Sequence, residues 1–359
     1  MIRRIWSAAA LGLLALALPL FAQAPAYPPP AEVRAAFRKL LDRPAVPPDV
    51  RPAGSQPLAD GLVAERFSFA SERKPDGSVE RVPALLVRPA DARGRRPAVI
   101  VLHGTGGSKE GVQDWLTALA KRGLVGVAID ARYHGERVGV RRGSEAYQQA
   151  ILRAWRAKPS EPQEHPFYYD TCWDLWRTVD VLQARPDIDP KRIGMVGISM
   201  GGIETWLAAA ADERVAVAVP AIAVQSFRWS LEHDRWQGRA NTIKVAHEAA
   251  AKDLGEPAVN ARVCRELWAR VIPGITGQFD GPSMLRLFAG RPLLIVNGDR
   301  DPNCPIEGAR LAFAAAEAAY REANASDKLK IMVADGVGHK VTDEQRRAAL
   351  DWLAKWLGS

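Results

Sequence analysis

The segment that most constrains the fold of this chain is Gly197-x-Ser199-x-Gly201, which lies between an apolar strand pattern and a helical pattern. In such a turn the residues two before and two after the serine must be almost free of side chain, and the serine is lifted to the head of a new helix. The backbone N–H of the next residue, Met200, then faces the place where a carbonyl oxygen would become negative. An ordinary glycine-rich turn can have the same Gly-x-Ser-x-Gly sequence, but the flanking strand and helix patterns favour a nucleophilic Ser199.

A second loop carries groups that could help such a serine. The apolar strand pattern at 97–102 ends in His103-Gly104-Thr105-Gly106-Gly107. A glycine-rich loop in this position can offer another backbone N–H, and we expect the N–H of Thr105 to join that of Met200 in an oxyanion hole. His103 is expected to be a structural hydrogen-bonding group.

Candidates for an acid and a base follow two further strand patterns. Asp299 and Asp301 come after the strand at 292–297, and His339 comes after the strand at 329–334. His339 lies in a flexible Gly-Val-Gly-His setting, which favours it as the general base. The residues alone leave Asp299 and Asp301 open as the acid. The serine, the acid and the histidine thus occur in the chain order Ser, Asp, His.

This chain resembles the α/β-hydrolase superfamily, and within it the branch of dienelactone hydrolases, acetyl xylan esterases and prolyl-oligopeptidase-type catalytic domains. Apart from two insertions at 136–167 and 225–290, the resemblance covers about residues 80–357 and implies an α/β-hydrolase fold with a Ser–His–Asp triad. The motifs that carry it are His103-Gly104, Asp130-Ala-Arg132-Tyr-His134-Gly135, the Ser199 elbow, Gly298-x-x-Asp301 and Gly338-His339.

The resemblance also bears on individual residues. The family spacing Gly298-x-x-Asp301, followed by Pro302, favours Asp301 as the acid over Asp299, with Asp335 a more remote third. Serine stands in the elbow where dienelactone hydrolases carry cysteine, which argues against that activity. His134 follows a strand on the active-site edge and is a candidate pocket residue.

The alternation of strand and helix patterns predicts an α/β fold with a mostly parallel sheet that is covered on both faces. Extended segments at 62–70 and 82–89 are expected to form an antiparallel edge. Insertions at 136–167 and 225–290 interrupt the alternation at the carboxyl edge of the sheet, where such folds bind ligands.

We expect these two insertions to form a helical cap over Ser199. Trp229 and Trp236 in the second insertion are candidate pocket residues that could stack on a sugar or a phenolic acyl group. Most of the cap aromatics are expected to form the cap's own small core instead.

The first residues predict export. Arg3 and Arg4 precede an apolar run and Ala22-Gln23-Ala24, so residues 1–24 are interpreted as a signal peptide, with cleavage after Ala24 or after Ala26. A Pro-rich segment at 25–60 and the hydrolase domain at 61–359 would then make up a periplasmic or secreted protein without stable membrane insertion. An uncleaved membrane anchor is the competing interpretation.

Composition excludes some partners and leaves others open. The formal net charge is +8, but Lys and Arg are scattered, so no nucleic-acid partner is expected. The spacing of Cys172, Cys264 and Cys304 fits no metal motif, and buried free thiols are favoured over a Cys172–Cys264 bridge. No metal or organic cofactor is expected. The sequence does not determine the oligomeric state.

These observations together predict a secreted serine hydrolase that acts through an acyl-enzyme on carboxylic esters of a small molecule or a carbohydrate. Acetyl and feruloyl esters of sugars are candidate substrates. A serine peptidase of the prolyl-oligopeptidase-like type would use the same triad and is an alternative. A non-catalytic binding protein on the same fold is a second alternative.

Overall fold

A computed structural model describes residues 27–91, 94–139 and 144–358, so the predicted signal peptide lies outside the described residues. Within these ranges the chain forms nine strands: β1 Arg51–Leu58, β2 Leu62–Arg73, β3 Val79–Pro89, β4 Arg96–Leu102, β5 Val125–Ile129, β6 Ile188–Ile198, β7 Val215–Ala221, β8 Leu293–Gly298 and β9 Leu329–Ala334. It also forms twelve α-helices: α1 Pro30–Leu40, α2 Gln113–Ala120, α3 Glu145–Arg156, α4 Tyr169–Ala184, α5 Met200–Ala211, α6 Phe227–Glu232, α7 Gln237–Asn241, α8 Lys244–Asp253, α9 Ala261–Val271, α10 Gly281–Met284, α11 Ile306–Glu322 and α12 Asp343–Gly358.

The strands form one mixed sheet in the order β1-β2-β3-β5-β4-β6-β7-β8-β9. From β5 to β9 in this order the neighbours are parallel, whereas β1, β2 and β3 run antiparallel, as does the pair β3 and β5. The carboxyl ends of the parallel strands therefore meet at one edge. This confirms the predicted fold class and brings the loops after β4, β6, β8 and β9 together.

The parallel strands are buried on both faces. Every residue of β5 is buried, and so is every residue of β4 after Arg96, which explains their continuous apolar sequences. Leu175 of α4 and Leu207 of α5 pack in the core on one face, while Leu116 of α2 and Leu353 of α12 pack in the core on the other. The sheet thus has a helical layer on each side.

Strand β1 was not predicted. Seven of its eight residues are exposed, and its sequence contains two prolines and a glycine, which are rare in strands. It pairs with β2 at the edge of the sheet, with an irregularity between Pro52 and Gly54. No apolar alternation marks such a strand, because neither of its faces contributes to the core.

The two insertions pack against each other. The Arg156 guanidinium of α3 lies 2.8 Å from the Asp253 carboxylate of α8, and the Gln148 side chain of α3 accepts a hydrogen bond from the backbone N–H of Val245 at 3.1 Å. Helix α9 also contacts α3. Helices α3, α8 and α9 therefore form one helical layer out of two separate stretches of sequence, which we call the cap.

Helix α1 is part of the domain's core. Phe37 is fully buried, and its ring makes edge contacts with Tyr169, Trp176 and Phe279 at centroid distances of 5.2, 6.1 and 5.1 Å. The Pro-rich segment is therefore anchored between α4 and the region after α9.

Two further predictions concern the chain as a whole. The three cysteines are buried free thiols, which confirms that expectation. Across the described ranges, none of the helices combines the length and the hydrophobicity needed to span a bilayer.

Candidate active site

The backbone at Ser199 has the strained geometry that the motif predicts. Ser199 lies between β6 and α5 with φ 58° and ψ −115°. A Cβ atom at Gly197 would lie 2.1 Å from the carbonyl oxygen of Gly201, and one at Gly201 would lie 2.6 Å from the Cβ of Leu102. Only glycine fits at these two positions, and the tight turn holds the Ser199 side chain at the carboxyl edge of the sheet.

His339 connects Ser199 to Asp301. Its Nε2 atom lies 2.7 Å from the Ser199 Oγ atom, and its Nδ1 atom lies 2.7 Å from the Asp301 Oδ2 atom. The other carboxylate oxygen of Asp301 accepts hydrogen bonds from the backbone N–H groups of Asn303 at 2.8 Å and Cys304 at 3.2 Å. The carboxylate is thus fixed by its own loop, and it in turn fixes the orientation of the imidazole.

The backbone explains why Asp301, and not Asp299, reaches His339. The backbone N–H of Asp299 donates to the carbonyl oxygen of Ala334 at 3.1 Å, so Asp299 still follows the direction of the sheet. The backbone N–H of Arg300 donates to the carbonyl oxygen of Val337 at 3.0 Å. A Cβ atom at Gly298 would lie 2.2 Å from the Val337 carbonyl oxygen. Glycine at 298 therefore lets the loop that carries His339 approach closely enough for Asp301 to contact it.

The loop after β4 lies against the elbow. The N–H of Gly201 donates to the carbonyl oxygen of His103 at 3.1 Å, and a Cβ atom at Gly104 would lie 3.5 Å from the Ser199 Cβ atom. Thr105 follows in this loop and is exposed, while Met200 begins α5. Both residues named in the sequence for an oxyanion hole therefore belong to segments that border Ser199.

Two histidines lie at or near this loop: His103 begins it, and the ring of His134 lies near the ring of His103. His103 donates from Nδ1 to its neighbour Gly104 at 2.8 Å and accepts at Nε2 from the N–H of Ala131 at 3.2 Å. His134 donates from Nδ1 to the Arg132 carbonyl oxygen at 2.8 Å and is only 1% exposed. Burial, together with the nearby His103, lowers the pKa of His134 to about 3. The His134 ring packs near the His103 ring, at a centroid distance of 5.2 Å, and its role in lining a pocket stays a prediction.

A buried ionic network supports the loop after β5. Arg132 donates to the two carboxylate oxygens of Asp174 at 2.7 and 3.0 Å, and Arg137 donates to the same carboxylate at 2.7 Å. Burial alone would raise the pKa of Asp174, but the two guanidinium groups hold it below the usual range. The resemblance had singled out Arg132. Nothing in the sequence marked Asp174, which looks like an ordinary polar position of α4.

The two candidate pocket tryptophans have other contacts as well. The Trp229 ring stacks on the His233 ring at 4.3 Å, and it lines a cavity of about 380 Å³ together with Tyr27 and Asp280. Trp236 donates from Nε1 to Asp234 at 2.8 Å and packs against the main core. A role for either ring in binding an acyl or alcohol group stays a prediction.

Asp301, Cys304 and His339 are the described side chains that come close enough to suggest a metal site, with ligand atoms within 4.8 Å of one another. Their bonding suits proton transfer better than metal binding. Both Asp301 oxygens are occupied by hydrogen bonds, and the Arg239 guanidinium donates to the Cys304 sulfur at 3.1 Å. Burial raises the pKa of the Cys304 thiol to about 12, so the thiolate that a metal needs is disfavoured.

Comparison with known proteins finds similar sequences. The sequence profile of the acetyl xylan esterase family (AXE1) matches residues 75–228, a stretch that includes the Ser199 elbow. A Bacillus subtilis (strain 168) protein named as a hydrolase, YtaP, is 26% identical over 294 residues, which cover 77% of this chain and 84% of that protein.

Solved structures share the fold. Acetyl xylan esterase 1 from Thermoanaerobacterium sp. JW/SL YS485 superposes with a TM-score of 0.67 at 19% identity, covering 94% of this chain and 96% of that one. A glucuronoyl esterase from Solibacter usitatus gives a TM-score of 0.61 at 16% identity, covering 91% and 92%. With the profile match, these findings lead to one conclusion: this chain has the α/β-hydrolase fold and is similar to the acetyl xylan esterases, and this similarity supports a carboxylic ester hydrolase.

Proposed function

We propose that this protein is an exported serine esterase that uses Ser199, His339 and Asp301 as a catalytic triad and removes small acyl groups, acetyl first among them, from carbohydrates. The observation that supports the triad most directly is the pair of 2.7 Å hydrogen bonds that His339 makes with Ser199 and Asp301. These are the contacts that a nucleophile, a base and an orienting acid need.

The first half of the reaction forms an acyl-enzyme. His339 Nε2 accepts the hydroxyl proton as Ser199 Oγ attacks the ester carbonyl carbon. Asp301 stabilises the resulting imidazolium through Nδ1 and keeps the ring in the tautomer that leaves Nε2 free. The imidazolium then gives its proton to the leaving alcohol oxygen as the C–O bond breaks.

The second half releases the acid. Water takes the place of the alcohol, gives a proton to His339 Nε2 and attacks the acyl carbon. His339 then returns the proton to Ser199 Oγ as the bond between Ser199 and the acyl carbon breaks. In both halves the backbone N–H groups of Met200 and Thr105 would hold the negative oxygen, and each such donor is typically worth about 3–4 kcal/mol.

The choice of an acetylated carbohydrate rests on relatives. The matching family profile and the Thermoanaerobacterium structure both carry the name acetyl xylan esterase. The exposed loop at Thr105 and the half-buried Ser199 give a bulky alcohol, such as a sugar chain, access to the site. Feruloyl esters are the larger acyl group to test beside acetyl.

Export rests on the first 24 residues, whose basic start, apolar run and Ala-x-Ala ending suit a signal peptide. Mass spectrometry of protein recovered from the periplasm or medium should find a chain that begins at Pro25 or Tyr27. An intact first residue on a membrane-bound product would contradict export.

The decisive experiment combines labelling with turnover. A fluorophosphonate probe should label the wild type at Ser199 and should not label Ser199→Ala. Acetate release from acetylated xylo-oligosaccharides should stop in that variant while its melting temperature stays within a few degrees of the wild type. Undiminished acetate release by Ser199→Ala would disprove the triad. Turnover of aminoacyl anilides with no ester hydrolysis would favour the peptidase alternative.

A further inference from the structure

Arg239 is a buried arginine that the reaction described above does not use. It lies on α7, is 2% exposed, and donates to groups of the loop that follows β8. Its guanidinium reaches the carbonyl oxygen of Asn303 at 3.0 Å and the sulfur of Cys304 at 3.1 Å. These are the residues whose backbone N–H groups hold the Asp301 carboxylate.

Further contacts fix the guanidinium from other sides. It donates to the Tyr168 hydroxyl at 3.3 Å. The amide of Gln225 satisfies its neighbours when its oxygen faces Arg239, and the Nε atom of Arg239 then donates to it at 3.1 Å. Arg239 therefore connects α7, the segment before α4 and the Asp301 loop.

The backbone of α7 also lies against this loop. A Cβ atom at Gly238 would lie 2.0 Å from the carbonyl oxygen of Pro302, so only glycine allows the helix to come this close. The residue next to Arg239 thus packs directly on the loop of the triad acid.

The charge of Arg239 is unusual because it has no partner in an ion pair. Among the residues that the structure describes, no carboxylate oxygen lies within 4.0 Å of this guanidinium, whereas the buried Arg132 and Arg137 both contact Asp174. A buried charge without a salt bridge is costly, and groups of this kind are often kept for function.

We propose that Arg239 is a positioning residue for the ester hydrolase: it holds the Asp301 loop against α7. The inference rests on the proposed triad. Arg239 fixes Asn303 and Cys304, and the backbone N–H groups of these two residues fix the carboxylate that contacts His339.

The test compares two replacements with a matched control. Arg239→Gln keeps a hydrogen-bond donor and removes the charge, whereas Arg239→Lys keeps the charge and loses the planar set of donors. Arg235→Gln makes the same change at an exposed arginine before α7. For each variant, kcat and KM for a small acetyl ester are measured together with the melting temperature.

In Arg239→Gln we expect KM for the acetyl ester to stay close to that of the wild type, because the contacts of Arg239 lie on the Asp301 loop, Tyr168 and Gln225. We expect kcat to fall about 10- to 100-fold from misplacement of Asp301. Arg239→Lys should lose part of kcat, and Arg235→Gln should behave as the wild type.

A lower melting temperature with unchanged kcat in Arg239→Gln would make Arg239 a packing residue and overturn the proposal. If Arg239→Gln does not fold, unchanged kcat in Arg239→Lys would overturn it, because lysine cannot reproduce the contacts with Asn303 and Cys304. Ser199→Ala assayed in parallel keeps the two questions separate. Its loss of activity supports the triad even where the Arg239 variants behave as the wild type.

Discussion

Lys109 and Asp130 form a buried pair that links the loop after β4 to the loop after β5. Lys109 donates to Asp130 twice, from its backbone N–H at 2.8 Å and from Nζ at 2.9 Å, and its side chain is 1% exposed. Asp130 also accepts the backbone N–H of Glu136 at 3.0 Å. The chain that continues from Thr105 is therefore fastened to the loop after β5.

Lys109→Met should be strongly destabilising, because it leaves the Asp130 carboxylate buried without its cation. A loss of about 3–5 kcal/mol in the free energy of unfolding is typical for such a change. Urea unfolding measures it, with Lys121→Met as the control. Lys121 pairs with Asp60 at the surface, where both side chains are more than half exposed, and its loss should cost less than about 1 kcal/mol. Equal losses in both variants would contradict a special role for the buried pair.

Asp301→Asn should lower kcat by about 10³- to 10⁴-fold with little change in KM, because the amide no longer fixes the imidazole tautomer or stabilises the imidazolium. Steady-state kinetics with an activated acetyl ester checks this. Asp299→Asn is the matched control, since Asp299 precedes the acid by two residues and its backbone still belongs to the sheet. A larger loss in Asp299→Asn than in Asp301→Asn would reassign the acid.

The parts of the fold that could be predicted are those with a local signature. The buried strands β4, β5 and β8 are continuous apolar runs, and their loops carry His103, Asp130 and Asp301. Because parallel strands end at one edge, knowing the strands was enough to predict that these loops converge. The confirmed fold class followed from that reasoning.

The parts that could not be predicted depend on distant contacts. Asp174 meets Arg132 across 42 positions of the chain, and Arg239 meets Cys304 across 65. In the sequence, Asp174 and Arg239 look like charged residues on the solvent-exposed face of a helix. Their burial follows from how α4 and α7 pack, and no local pattern records that packing.

Replacing the two candidate pocket tryptophans should show whether they bind substrate. Since Trp236 packs on the main core and Trp229 stacks on His233, we expect each alanine variant to lower the melting temperature and to reduce turnover of acetyl and feruloyl esters by similar factors. Matched kinetics on the two esters measures the ratio. A loss confined to the feruloyl ester would instead identify that ring as part of an acyl pocket.

Glu204 gives a pH-dependent prediction for stability. It lies on α5, is 1% exposed, and burial, followed by the negative charge of Asp174, holds its pKa well above the usual 4.5. The folded protein therefore keeps Glu204 protonated at a pH where the unfolded chain has released the proton. A carboxyl group of this kind stabilises the fold fully below its unfolded pKa, and that contribution is lost as the pH rises towards its folded pKa.

Glu204→Gln removes this titration while keeping the shape of the side chain. Relative to the wild type, the variant should gain about 1.4 kcal/mol in free energy of unfolding for each pH unit above 4.5, until the folded pKa of Glu204 is reached. Urea unfolding of both proteins at pH 5, 6, 7 and 8 measures the difference. Glu213→Gln is the control, because that side chain is 66% exposed and paired with Arg34 at the surface. A pH-independent difference between Glu204→Gln and the wild type would mean that Glu204 is ionised in the folded protein, and its carboxylate would then need a buried cation such as Arg137 as its partner.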